Sequence, residues 1–179
     1  MKKNFLWMLV TILFCGLTTI SMSSCGDDDN DNGKDSGGST TSTAVGMKVK
    51  YYVKVASQST LDACNVTVEY TDANGKTKSQ ALTTLDEFSP DPVTIKGLPN
   101  QAEMTLTFAP KDNLTAEKYD VEATYGIGAV AVDAQGKEMG TIGITPEFIM
   151  STGIKKEAKR TISRTKSATI TADGKIKVD

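Results

Sequence analysis

Alternation of apolar and polar side chains dominates the chain from Met47 onwards and limits what the chain can fold into. In the first such run, apolar residues occupy every second position: Met47, Val49, Tyr51, Val53 and Val55. Three lysines and Tyr52 fill the positions between them. Successive side chains of a β-strand point to opposite faces, so this run predicts a half-buried strand with Tyr52 on the solvent face.

Similar runs recur along the chain and are separated by turn residues. They lie near residues 64–70, 103–108 and 119–125, and glycine follows Asn74, Gln135 and Asp173, as is typical of tight hairpin turns. Roughly eight to ten short strands, without a convincing amphipathic helix or an internal repeat, predict an all-β fold. We expect a single β-sandwich of immunoglobulin-like or related topology.

Two segments of this pattern are less regular. Gly126 and Gly128 interrupt the longest run and predict a bulge or bend, where one strand would serve two neighbours. Residues 155–164 fit either a strand or a short helix.

The N-terminus has a different character. Lys2 and Lys3 precede a mostly apolar stretch at residues 5–17, which is too short to span a bilayer and is followed by small polar residues. This order is typical of a signal peptide, here residues 1–24. The apolar stretch leads to Met22-Ser23-Ser24-Cys25.

The segment ending at Cys25 resembles the lipobox of bacterial lipoproteins. The resemblance implies cleavage between Ser24 and Cys25 and acylation of the Cys25 thiol by diacylglyceryl and further chains such as palmitate. Several acyl chains anchor a protein lastingly, whereas one alone binds only marginally. Cys15 is a competing acceptor, but bulky Phe14 precedes it and cleavage there would leave a second apolar stretch on the mature chain.

Acidic residues follow Cys25 directly, at Asp27, Asp28, Asp29 and Asp31. This run resembles the export tag of Bacteroidota-type surface lipoproteins. The resemblance implies an outer-membrane protein at the cell surface, and a periplasm-facing position is the alternative. It covers only the N-terminal segment, and the β domain itself resembles no family.

Residues 25–46 form the link to the predicted sandwich at residues 47–179. The link consists mostly of Gly, Ser, Thr, Asp and Asn, a composition that favours a flexible tether with a mean reach of roughly 25 Å. Asp28, Asn30, Asn32 and Gly33 match the start of a calcium loop, but Ser39 stands where the bidentate Glu belongs. The sequence therefore predicts no metal site.

Composition narrows the chemistry further. The chain has no histidine, which removes the usual general base near neutral pH, the commonest zinc ligand and every Ser-His or Cys-His pair. With Cys15 removed and Cys25 acylated, Cys64 cannot form an intramolecular disulfide. Its phase with Val66 and Val68 predicts a buried, inert thiol.

Three aromatic residues are the candidate ligand contacts, because flat rings provide stacking affinity for sugars. Tyr52 faces outward among lysines, and Phe88 and Phe148 lie in loop-like sequence. A glycosidase would instead need paired carboxylates. Such pairs occur without a recognisable cleft motif at Asp86 with Glu87, Asp120 with Glu122, and Asp133 with Glu138.

Together these features predict a lipid-anchored cell-envelope protein that acts as a non-catalytic binding or assembly module on the bacterial surface. One alternative is a glycan-binding accessory lipoprotein of a polysaccharide uptake system, and another is a small hydrolase. The expected partners are membrane lipid, through acylated Cys25, and an envelope protein or glycan. We expect no nucleic-acid partner and no cofactor.

Overall fold

The computed structural model describes residues 43–179, which form nine strands and one short helix. A 3₁₀ turn, Lys156–Ala158, follows the seventh strand. In chain order the elements are β1 (Gly46–Val55), α1 (Gln58–Ala63), β2 (Cys64–Thr71), β3 (Thr77–Leu82), β4 (Val93–Lys96), β5 (Asn100–Pro110), β6 (Lys118–Val132), β7 (Glu147–Lys155), β8 (Ile162–Ile170) and β9 (Ile176–Val178).

The strands pair into two antiparallel sheets. Sheet A has the order β4-β1-β6-β7, and sheet B has the order β3-β2-β5-β8-β9. Their inner faces supply the core, so the predicted β-sandwich is confirmed. An immunoglobulin-like topology stays a prediction.

The core follows the alternation read from the sequence. Met47, Val49, Tyr51 and Val53 of β1 are fully buried, and β2, β5 and the first half of β6, as far as Tyr125, bury every second residue in the same way. The Tyr51 hydroxyl donates to the Thr71 carbonyl oxygen at 2.8 Å, which joins sheet A to sheet B. Alternation therefore decides which face of each long strand is apolar.

One five-residue turn occurs three times in this part of the chain, with the sequences Asp72-Ala-Asn-Gly-Lys76, Asp133-Ala-Gln-Gly-Lys137 and Thr171-Ala-Asp-Gly-Lys175. In each, the backbone N–H of the first residue donates to the carbonyl oxygen of the lysine, and the glycine has φ between 72° and 78°. A side-chain oxygen of the first residue also accepts from backbone N–H groups of the turn. The turns lie where the sequence places them, but each is longer than a two-residue hairpin loop.

The two ends of the sandwich differ. Gly46 at the start of β1 lies opposite Val132 and Lys96, where β6 and β4 end. The three repeated turns lie at this end, which we call proximal because the chain reaches the sandwich here. Helix α1, the loop at residues 111–117 and the 3₁₀ turn lie at the opposite, distal end.

The two irregular segments are resolved as follows. Strand β6 runs unbroken through Gly126 and Gly128, so the predicted bend there is wrong; the register shift lies between Tyr119 and Val121. The glycines instead allow residues 143–146 to cross the outer face of β6, because a Cβ on Gly126 would lie 2.6 Å from the Ile144 Cγ2. Residues 155–164 contain the end of β7, the 3₁₀ turn and the start of β8.

Candidate functional site

The distal half of sheet A carries an exposed apolar pair on its outer face. Phe148 and Met150 of β7 are 55% and 64% exposed and point away from the core, whereas Ile149 between them is buried. Monomeric proteins expose single apolar side chains freely, but adjacent ones on one face are typical of interaction sites.

Pairing across the sheet defines what surrounds this pair. Phe148 lies opposite Thr124 of β6, which lies opposite Lys54 of β1, so the three form one row roughly 10 Å wide between outer Cα atoms. Met150 lies opposite Glu122 in the next row. We call these five residues and Tyr52 the distal patch.

Tyr52 joins the patch from β1. It lies opposite Gly126 and points to the outer face, as the sequence predicts, but it is only partly exposed. Because Gly126 has no side chain, Ile144 occupies the space beside it. Tyr52 and Phe148 therefore share a face, separated by β6 and offset by one row.

Phe88 does not belong to this surface. It pairs with Val53 through two backbone hydrogen bonds of 2.9 and 2.8 Å, and Val53 points into the core. Its ring packs edge-on against Tyr70 at 5.5 Å, and Tyr70 packs against Tyr51 at 5.2 Å. Of the three candidate aromatics, the structure brings together only Tyr52 and Phe148.

Met150 is not among the contacts predicted from the sequence, and the prediction that Phe148 lies in a loop is wrong because Phe148 lies within β7. The signal was present, since Phe148 and Met150 flank Ile149 with the period of a strand.

Cys64 is buried, as predicted. Only 2% of it is exposed, and burial raises the pKa of its thiol, while the nearby Lys111 acts in the opposite direction. A thiol held in its protonated form is a poor nucleophile.

The candidate acidic pairs are largely engaged in the fold. Asp133 accepts from the backbone of its own turn, and Glu138 pairs with Lys48 at 2.8 Å. Asp120 accepts from the Gly153 N–H at 2.7 Å. Within residues 43–179 no three His, Cys, Asp or Glu side chains are grouped to hold a metal ion.

The predicted lipidation and export residues, Ser24, Cys25 and Asp27 to Asp31, lie outside the described residues. In the part that is described, no helix has the length and apolar character needed to cross a membrane. No protein-family model, curated protein or solved structure matches the chain.

Proposed function

We propose that the protein is a lipid-anchored, non-catalytic binding or assembly module of the outer membrane, and that its distal patch is the surface it presents. The anchor is acylated Cys25, and the acidic run behind it favours the cell surface. Phe148 and Met150 are the observation that carries the binding role, because two large apolar side chains lie side by side in solvent.

The position of the patch fits this role. The tether reaches the sandwich at Gly46, and Lys54 in the patch lies eight residues further along β1, which corresponds to roughly 26 Å of strand. A patch near the proximal end would lie close to the lipid headgroups, whereas this one is displaced from the point of attachment. A partner outside the membrane can therefore reach it.

Localisation is tested by protease shaving of intact cells, with Cys25→Ala as the comparison. We expect the wild-type domain to be cleaved on intact cells and the variant to leave the membrane fraction. Protection of the wild-type domain until the cells are opened would instead place it on the periplasmic side.

Binding through the patch is tested by crosslinking on cells. Phe148→Ser and Met150→Ser should each reduce capture of a specific envelope partner, because each removes exposed apolar area that the partner would cover. Leu85→Ser is the matched control, since Leu85 is 39% exposed in the loop between β3 and β4. Equal capture by all variants would refute a role for the patch.

Glycan binding is the second candidate function, and the shared face of Tyr52 and Phe148 favours it. A sugar chain lying across β6 could stack on both rings, which would contribute affinity at each contact. Loss of retention on a polysaccharide panel by both Tyr52→Ala and Phe148→Ala would support this function, and unchanged retention would count against it. Phe88→Ala is unsuitable as a binding probe because Phe88 packs against Tyr70.

A further inference from the structure

Strand β6 extends beyond β7, the strand that pairs with one of its two edges. Along one edge it pairs with β1 from Ala123 to Val132 without a break. Along the other edge, pairing with β7 ends at Tyr125, and the next pairing is that of Val132 with Glu138. Among residues 43–179, no strand therefore neighbours residues 126–130 on that edge, which leaves a gap roughly 17 Å long.

The backbone groups that face this gap belong to two residues. The Glu122 carbonyl oxygen accepts from the N–H of Ala56, directly after β1, whereas the Ala131 carbonyl oxygen accepts from the Met139 N–H on the other edge. The backbone N–H and C=O groups of odd-numbered residues of β6 therefore face the edge where β7 pairs. Ile127 and Ala129 have this orientation. Within residues 43–179 no backbone or side-chain group hydrogen-bonds to their N–H or C=O on that edge.

Unpaired backbone groups at this position are unusual because Ile127 is only 2% exposed. More than nine in ten buried backbone groups have a partner. A cleft of about 390 Å³ adjoins the gap, lined among others by Ile127, Pro146, Glu147, Lys166 and Val178. Glu147 and Lys166 pair with each other across it at 2.7 Å, which leaves the apolar side chains to meet an incoming group.

The neighbouring segment does not fill the gap. Residues 143–144 pass above Gly128, where a Cβ would lie 2.9 Å from the Ile144 Cγ1. A segment above the strand cannot continue its ladder, because ladder hydrogen bonds lie in the plane of the sheet. Beneath this crossing, no residue in the described part of the chain pairs with Ile127 or Ala129 on this edge of β6.

We propose that the gap accepts an extended segment of another polypeptide, which adds a strand to sheet A in line with β7. The segment would run antiparallel to β6, and its backbone would pair with Ile127 and Ala129. Residues opposite these two would point into the core. The segment should therefore carry apolar side chains at two alternate positions and polar ones between them.

Two other occupants fit less well. A second copy cannot bring its own β6 edge to this one, because β7 stands one strand further out and would collide first. The chain's own residues 26–42 are mainly Gly, Ser, Thr, Asp and Asn and lack the apolar side chains that Ile127 and Val178 require. A foreign segment with alternating side chains meets both demands.

Amide hydrogen exchange tests the gap itself, on the mature chain carrying Cys25→Ala. The amides of Gly126 and Gly128 point to β1 and should exchange slowly, whereas those of Ile127 and Ala129 should exchange at least about tenfold faster. Equal protection at all four amides would overturn the proposal, because the gap would then be closed.

Strand addition is tested with the acetylated, amidated heptapeptide KSVTVSK. We expect it to slow exchange at Ile127 and Ala129 by about tenfold or more, without a comparable change at Gly128. The matched control KVVSSTK has the same composition, but its two valines point to opposite faces. Protection by neither peptide, or by both equally, would overturn the proposal.

One substitution separates binding from folding. Ala129→Pro removes an N–H that has no partner among the described residues, and proline is tolerated at such edge positions, so the unfolding midpoint should change little. Affinity for KSVTVSK should fall roughly tenfold. Gly128→Pro, which removes an N–H bonded to β1, should unfold the sheet instead. Unchanged affinity in Ala129→Pro would contradict strand addition at this edge.

Discussion

Two buried tyrosines of sheet A differ in what their hydroxyl groups contact, and this difference predicts opposite effects of removing them. Tyr51 is fully buried, and its hydroxyl donates to the Thr71 carbonyl oxygen at 2.8 Å. Tyr119 is 5% exposed, and its buried hydroxyl has no hydrogen-bond partner among residues 43–179. Burial raises the pKa of Tyr119, and the nearby Arg160 acts in the opposite direction.

The expected changes in the free energy of unfolding depend on the hydrogen bonds to water that each hydroxyl loses on folding and on those that it regains in the folded protein. Tyr51→Phe removes a buried hydrogen bond and leaves the Thr71 carbonyl with one partner fewer. The free energy of unfolding should therefore fall by about 1–2 kcal/mol. Tyr119→Phe removes a polar group that was dehydrated without compensation, so the protein should become more stable by about 1 kcal/mol. For a domain of this size the two unfolding midpoints should differ by roughly 6–12 °C.

Urea unfolding of the mature chain with Cys25→Ala measures both free energies. The slope of the free energy of unfolding against urea concentration should be the same for both variants, since the surface area exposed on unfolding barely changes. Tyr52→Phe, at the partly exposed outer face, is the control and should change the free energy of unfolding by less than about 0.5 kcal/mol. If Tyr119→Phe destabilises the protein as much as Tyr51→Phe, its hydroxyl has a partner and the reasoning fails.

Two further predictions concern the crossing segment and the pH dependence of stability. Gly128→Ala should cost about 1–3 kcal/mol, because its Cβ would meet the Gly143 carbonyl oxygen, whereas Gly143→Ala, with open space around its Cβ, should be nearly neutral in the same urea measurement. Burial raises the pKa of Tyr51 and Tyr125 above that of an unfolded tyrosine. Both tyrosines are neutral below pH ~10, so their contribution is complete there and should fall as the pH rises further, by up to about 1.4 kcal/mol per pH unit for each. A flat stability profile to pH 12 would show that the buried phenols ionise as freely as in the unfolded chain.

Local alternation was enough to predict the long strands and their inner faces, because the period of two depends only on neighbouring residues. It placed Tyr52 on the outer face and Cys64 in the core, and both placements are confirmed. The signal needs no knowledge of which strands pair. For the same reason it could not predict the strand order, which depends on contacts between distant residues.

Two errors share that cause. Phe88 faces the core because it pairs with Val53, which lies 35 residues away. Gly126 and Gly128 predict a bend because nothing near them in sequence shows that Ile144 crosses above them. Each depends on a register or an approach that sequence neighbours do not encode.

The distal patch and the gap have a common origin in the length of β7. Natural sheets protect exposed edges with charges, bulges or covering segments. Strand β7 has such a device only in its distal part, where Gly153 adopts a φ of 63° and the register with β6 shifts. Its first residues carry the exposed Phe148 and Met150, and directly beyond them no strand of the described residues pairs with the edge of β6. Because both unprotected features lie on this one edge, a single elongated partner could cover Phe148 and pair with Ala129 at the same time. Combining Phe148→Ser with Ala129→Pro should then weaken such a partner by more than either change alone, and independent partners would be affected by only one change each.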